Sequence, residues 1–149
     1  MHKPTFQELR ELALSKREAG VLTMACEPLE SVEPVSSNIV DSFVVSLGFK
    51  PPGKGWLQID RAKAAALVEH ILYKDLAYQY PLMEQNKAAF IAESFLALFS
   101  THTCKFLTNG SINEKDMLTW DPISDSIFDH GLVAFDNENI GIIWVEDED

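Results

Sequence analysis

The sequence predicts a single α+β domain over residues 1–149, in which N-terminal helices, with a central antiparallel helical hairpin, pack on a small C-terminal antiparallel sheet. Three observations favour this class. First, apolar residues recur at helical spacing through most of the first two thirds of the chain. Second, the last third contains β-branched and aromatic runs separated by turn residues. Third, helices therefore precede strands in the chain. That order is typical of α+β folds rather than of alternating βαβ units.

Two helices are predicted near the N-terminus. A capping box at residues 5–8, followed by apolar residues at helical spacing, predicts a first helix over about 6–19. A second amphipathic helix follows, and either Ser37 or Asn38 can cap its start. Between the two helices, residues 21–26 fit either a short buried strand or a loop.

The longest helical pattern lies in the middle of the chain. Asp60 is a good N-cap for a helix from residue 61 to about 79, and a second helix is predicted over about 82–99. Only the region around Pro81 separates them, and such a short link implies an antiparallel helical hairpin. We expect this pair to hold most of the core.

Strands are predicted after residue 100. Residues 104–108 are strand-like, and residues 132–135 and 140–145 form β-rich runs separated by a polar turn, which indicates a β-hairpin. The intervening segment 111–124 is polar and is predicted to be a loop.

The charge distribution is the most unusual feature of the sequence. The net charge is −11, and the part from about residue 116 contains 10 acidic residues and no Lys or Arg, whereas the preceding part is almost neutral. Such a field repels nucleic-acid phosphates and anionic lipids and attracts basic proteins. The sequence therefore disfavours nucleic acid and membrane as partners and predicts a basic protein partner.

Other features predict a cytoplasmic protein. No apolar run approaches the ~20 residues of a membrane span, and the first residues lack the apolar region of a secretory signal. Cys26 and Cys104 are too few for a disulfide framework and are expected to be free thiols. The oligomeric state stays open.

No catalytic, cofactor or metal motif stands out, so neither a cofactor nor a metal is predicted. His102 and Cys104 would share one face of a strand and could bind zinc only if the fold brought Asp129 and His130 close. We favour the alternative, in which Cys104 is apolar in character and the histidines lie at the surface.

The leading functional hypothesis is an acidic, non-enzymatic protein-binding module, such as an inhibitor- or immunity-like partner of a basic protein, because opposite charges steer association. Acidic residues and two possible aromatic anchors of the C-terminal part are the candidate partner-binding residues: Trp120, Asp121, Asp125, Asp129, Asp136, Glu138 and Trp144. Trp144 lies within a predicted strand, where a core position is an equal alternative.

The last four residues, 146–149, have two competing interpretations. They form either part of the recognition surface or a solvating tail that prevents a hydrophobic terminal strand from pairing edge to edge. A Ca²⁺ or Mg²⁺ site is disfavoured because the loop spacing of an EF-hand is missing.

The alternative function is a small enzyme or ligand-binding protein. Its site would lie between the helical hairpin and the sheet and would use His70, Tyr73, His102 and Cys104. A concave pocket that gathers these side chains would favour the enzyme, whereas an acidic face would favour the binding module.

Overall fold

The computed structural model of the chain describes residues 4–15, 20–78, 80–112 and 118–148. The helices within these ranges are α1 (Phe6–Ser15), α2 (Ile39–Ser46), α3 (Arg61–Tyr73) and α4 (Gln85–Leu96). The strands are β1 (Val21–Pro28), β2 (Leu57–Ile59), β3 (Lys105–Thr108), β4 (Gly110–Ile112), β5 (Leu118–Trp120), β6 (Phe128–Phe135) and β7 (Asn139–Asp147). The predicted mixed α and β class is confirmed.

The main sheet has five strands in the order β1-β7-β6-β3-β2, and every neighbouring pair is antiparallel. The sequence predicted a sheet formed only by C-terminal strands. This is wrong, because β1 and β2 come from the first sixty residues. The predicted loop at 111–124 is also partly wrong, since β4 and β5 pair there as a separate two-stranded sheet.

Strand β7 lies between β1 and β6 rather than at an edge of the sheet. The interpretation of the terminal acids as protection for an exposed edge strand is therefore wrong. Glu146 and Asp147 belong to β7 itself, where Glu146 pairs with Val21 on one side and with Asp129 on the other.

Both faces of the sheet are covered, which explains the continuous apolar runs of its central strands. Because side chains alternate along a strand, Ile143 and Val145 of β7 join one core together with residues of α1, α3 and α4. Ile142 and Trp144 join a second core on the opposite face, to which α2 contributes Phe43.

Local sequence signals place most helix starts correctly. The Asn38 side chain accepts hydrogen bonds from the backbone N–H groups of Val40 and Asp41 at the start of α2, and Asp60 accepts one from Lys63 at the start of α3.

Helix α2 ends at Ser46, two residues before a glycine. Gly48 has a φ of 93°, a left-handed conformation that glycine adopts without steric cost. The reversal brings Phe49 back into the second core and directs the chain toward Lys50.

The predicted end of α3 is wrong, because the helix stops at Tyr73 rather than near residue 79. The buried carboxylate of Asp75 accepts hydrogen bonds from the backbone N–H groups of Tyr78 and Tyr80, which replaces helical hydrogen bonds by a compact turn. Helix α4 consequently starts at Gln85, so the connection is longer than the sequence indicated.

Candidate functional site

Three of the seven predicted partner-binding residues are buried. Trp144 is fully inside the second core, where its ring meets Trp56 edge to face at 6.0 Å between centroids. Asp129 and Asp136 are buried too. Because none of the three presents its side chain to solvent, we remove them from the candidate contact surface and assign them structural roles.

Asp136 closes the turn between β6 and β7. Its carboxylate accepts backbone hydrogen bonds from Ser100 at 2.8 Å and from Glu138 and Asn139 at 2.8 Å each. Burial acts to raise the pKa of Asp136, but these backbone donors outweigh it and hold the pKa below its ordinary value. The residue thus joins the segment after α4 to the β6–β7 turn.

Asp129 organises the loop that precedes β6. It accepts hydrogen bonds from Nδ2 of Asn109 at 2.8 Å, from the backbone N–H groups of Ile123 and Ser124, and from the Ser124 hydroxyl at 2.8 Å. The loop is anchored at a second point, because the N–H of Lys50 donates to the Ile123 carbonyl oxygen. This network fixes the position of the loop over 121–127.

Three other predicted partner-binding residues are half-buried or exposed, and they lie in different surroundings. Trp120 is half-buried and stacks on Phe128 with 5.7 Å between ring centroids. Asp121 is half-buried and accepts a hydrogen bond from the backbone N–H of Lys54. Glu138 is exposed, but it lies next to the first residue of β7, at the opposite end of that strand from Glu146.

Asp125 is the one member of the predicted set that lines the larger described cavity. This acidic cavity measures about 490 Å³ and lies between the 121–127 loop, the end of α2 and the final strand. Its charged and hydroxyl-bearing lining includes Lys50, Ser124, Asp125, Ser126, Glu146 and Glu148.

Glu146 is the cavity carboxyl group whose pKa is shifted by its surroundings. Burial raises the pKa of this carboxyl, the nearby negative charges of Asp129 and Glu148 raise it further, and a hydrogen bond from the Ser126 hydroxyl at 3.1 Å only partly offsets them. Asp129 lies directly opposite Glu146 in the β6–β7 pairing, and like charges in that position repel.

Three further charged residues lie at the surface around Glu146. Glu148 accepts a hydrogen bond from the N–H of Ile127 at 3.4 Å. Lys50 approaches Asp125 to 3.9 Å, and both side chains are largely exposed. A long ion pair in solvent contributes little energy, so Lys50 does not neutralise the cavity.

Exposed apolar side chains flank the carboxylates. Val21 is 57% exposed and Ile127 is 49% exposed. Val21 pairs with Glu146 across β1 and β7, so their side chains lie on the same face of the sheet. Ile127 is adjacent to the other cavity glutamate, because its N–H donates to the Glu148 carboxylate. The cavity and its apolar flank therefore form one surface.

Sequence reasoning identified Glu146 and Glu148 only as members of a terminal acidic run, and it missed Lys50, Ser124 and Ser126. A signal for the two glutamates was present, because alternation beyond the buried Trp144 places residues 146 and 148 on the same face. Nothing local marks the serines, whose loop is positioned by the fold.

The structure does not gather the residues of the alternative enzyme site. His70 is close enough to lower the pKa of His130, near the start of β6. Cys104 instead precedes β3, whose Lys105 pairs with Phe135 at the other end of β6. His102 is exposed in a turn, and Tyr73 packs against the first core. Neither described cavity is lined by any of the four predicted residues.

The thiols are free and poorly suited to nucleophilic chemistry. Burial and the charge of Asp136 raise the pKa of Cys104 to about 11, and the same causes raise the pKa of Cys26. A thiolate is the reactive form, so neither cysteine is activated in this environment.

The prediction of a surface position is wrong for His130, which is fully buried beside Asn109. The Oδ1 of Asn109 lies 2.9 Å from the histidine Nδ1. Since Nδ2 of Asn109 donates to Asp129, its Oδ1 is the acceptor, and Nδ1 of His130 carries the proton. Burial, together with the charge of His70, lowers the pKa of His130 to about 3, so the ring is neutral. The His130–Asn109–Asp129 chain links the two faces of the sheet.

Within the described ranges, no group of three or more His, Cys, Asp or Glu side chains is arranged to bind a metal ion. In the same part of the chain, every helix is too short or too polar to cross a bilayer.

Comparison with other proteins identifies no relative. No family model matches the chain, no curated protein is significantly similar in sequence, and no solved structure is significantly similar in fold. The acidic cavity is consequently the feature of the molecule that points to a function.

Proposed function

We propose that the chain is an acidic protein-binding module whose cavity receives a basic side chain of a partner protein. The observation that carries the proposal is the convergence of Asp125, Glu146 and Glu148 on one cavity, where Glu146 has a raised pKa. Three carboxylates on a concave surface match a guanidinium or ammonium group in both charge and hydrogen bonding.

The raised pKa of Glu146 explains why a cation is the favoured ligand. It means that burial and neighbouring negative charge oppose ionisation of the carboxyl group. A positive charge in the cavity would offset that opposition, and the gain in free energy would contribute to binding. Lys50, which is exposed and distant in its ion pair with Asp125, can move aside.

The apolar flank favours a protein partner over a role in solubility alone. Val21 and Ile127 place exposed aliphatic surface beside the carboxylates. Charges that serve only to keep a protein in solution need no such neighbours, whereas protein interfaces combine an apolar centre with a charged rim. The remaining exposed acids add an attractive field that speeds association with a basic protein.

We further propose that the chain acts in the cytoplasm as an inhibitor- or immunity-like partner of a basic protein. The contacts between α3 and α4, and their shared core with the sheet, support the predicted helical hairpin as the scaffold behind the binding surface.

A hexa-arginine peptide provides a defined probe of the acidic cavity. We expect the double variant Glu146→Gln and Glu148→Gln to bind this peptide about tenfold more weakly than the unaltered protein, because two charges that face the guanidinium are lost. Calorimetric titration at low salt measures the affinity, and rising salt should weaken binding to the unaltered protein.

The matched control changes the same number of charges elsewhere. Glu30 and Glu33 are exposed beyond the Pro28 end of β1, which is remote from the Val21 end that adjoins the cavity. Replacing both with Gln should change the affinity by less than about twofold. Equal weakening by the two double variants would show diffuse attraction and would contradict a defined cavity site.

A further inference from the structure

Lys50 is the only basic residue among the described residues that line the acidic cavity. The three carboxylates of the same lining, Asp125, Glu146 and Glu148, belong to the C-terminal part of the chain, which contains no Lys or Arg. The positive charge is supplied instead by the loop that follows α2. The fold therefore brings a cation from a distant part of the sequence to the carboxylates that are proposed to bind one.

The backbone of this loop is attached at two points to the 121–127 loop, which forms one wall of the cavity. The N–H of Lys50 donates to the Ile123 carbonyl oxygen at 2.9 Å, and the N–H of Lys54 donates to the Asp121 carboxylate. Phe49, which precedes Lys50, is buried in the second core. These contacts hold the backbone of Lys50 at the cavity.

The side chain of Lys50 is not fixed in the same way. Its ammonium group lies 3.9 Å from Asp125, and both side chains are largely exposed. An exposed pair of this length contributes little to folding, so stability does not explain the contact. Because the four-carbon stem of lysine is flexible, the ammonium group can leave Asp125 when another cation approaches.

The attachment of Lys50 to the cavity affects any cation that enters. A group that the chain holds within reach of its contact site has an effective concentration in the millimolar range or above. An incoming basic side chain must therefore compete with Lys50 for Asp125, and the charge of Lys50 also repels it. Both effects lower the affinity of the cavity for cations.

We infer that Lys50 is a built-in competitor of the basic side chain that the acidic cavity receives. This inference rests on the proposed function and adds a means of regulation to the same site. A cation that arrives alone gains little when it replaces Lys50. A basic partner protein that also covers Val21 and Ile127 gains apolar contact in addition, so Lys50 favours such a partner over isolated cations.

Calorimetric titration with hexa-arginine at about 0.1 M salt tests this competition. Lys50→Gln removes the charge and keeps a polar side chain. It should bind the peptide about threefold more tightly than the unaltered protein, which is the effect expected for one exposed charge pair. Lys50→Arg retains the charge and should stay within about 1.5-fold of the unaltered affinity. Urea denaturation should show that neither change alters stability, because the pair contributes little to folding.

The matched control removes the same charge on the other side of the sheet. Lys63 is exposed on α3, which packs in the first core, whereas Phe49 and Ile123 of the cavity lining belong to the second. Lys63→Gln should therefore change the affinity by less than about 1.5-fold. An equal gain for Lys63→Gln would show a general effect of net charge and would overturn the competition. A gain for Lys50→Arg as large as that for Lys50→Gln would overturn it as well.

The double variant Glu146→Gln and Glu148→Gln separates this inference from the proposed function. If that variant binds hexa-arginine as tightly as the unaltered protein, the proposed function fails, and the inference fails with it. If it binds more weakly while Lys50→Gln brings no gain, the competitor role is refuted and the proposed function survives. Weaker binding and a gain, each in its own variant, support both.

Discussion

Replacing Asp129 with alanine is expected to lower the free energy of unfolding by about 3–5 kcal/mol, because several buried donors lose their acceptor at once. The carboxylate accepts from Asn109, from the N–H groups of Ile123 and Ser124, and from the Ser124 hydroxyl. Each unsatisfied buried donor costs about 1–3 kcal/mol. Urea denaturation of the two proteins measures the difference.

The neighbouring Asp125 is a matched control for this change. It is exposed and its ion pair with Lys50 is long, so Asp125→Ala should change the free energy of unfolding by less than about 1 kcal/mol. Asp129→Asn retains one acceptor oxygen and should fall between the two. A loss of stability for Asp129→Ala no larger than for Asp125→Ala would contradict the structural role of Asp129.

Stability is expected to fall as the pH decreases from about 6.5 toward 3, with His130 as a major cause. The ordinary pKa of histidine is 6.5, whereas the pKa of buried His130 is about 3. Between these values the unfolded chain binds a proton at this residue and the native protein does not, so acidification favours unfolding. At 1.36 kcal/mol per pKa unit, the loss is on the order of 4–5 kcal/mol. Above pH 6.5 both states are neutral and His130 makes no pH-dependent contribution.

A His130→Gln variant isolates this contribution because its amide can donate to Asn109 but does not titrate. The variant should be less stable than the unaltered protein at pH 7.5 and should lose less stability on acidification to pH 4.5. Urea denaturation at several pH values gives both curves, and their difference removes the contributions of the carboxylates and of His70 and His102. Parallel curves would show that His130 is not the responsible group.

Much of the secondary structure follows from local patterns. The central strands β6 and β7 are apolar on both faces and were predicted, as were the caps at Asn38 and Asp60. Strand β2 was missed because three residues are too few to distinguish strand alternation from chance. The end of α3 was missed because the Asp75 carboxylate, whose contacts form only in the folded turn, competes with the helix.

The candidate site was harder to predict because an aspartate looks the same in sequence whether it faces solvent or accepts buried hydrogen bonds. Asp125 is exposed and Asp129 is fully buried, although they are only four positions apart. One donor to Asp129 comes from Asn109, which is distant in the sequence. The number of acidic residues in the C-terminal part is therefore larger than the number that contribute to the acidic surface, since Asp129, Asp136 and Asp147 all have structural roles.

Burial of Asp129 and the electrostatics of the cavity acids are connected. Asp129 positions the loop that carries Asp125, and its negative charge lies opposite Glu146 in the sheet. The carboxylate that holds the loop thus also adds, through its negative charge, to the burial that raises the pKa of Glu146. In this arrangement, stability and the electrostatic potential of the cavity depend on the same residue.

The pKa of Glu146, measured with and without hexa-arginine, tests the proposed cation site most directly. Carboxyl carbon chemical shifts recorded across a pH series give this value for a single glutamate. We predict a pKa above the ordinary glutamate value in the free protein, and a decrease when the peptide saturates the site, because a nearby cation favours the ionised form. By linkage, the peptide should also bind more tightly as the pH rises through the pKa of Glu146. A pKa of Glu146 that stays the same while the peptide is bound would place the peptide elsewhere and would contradict the proposed function of the cavity.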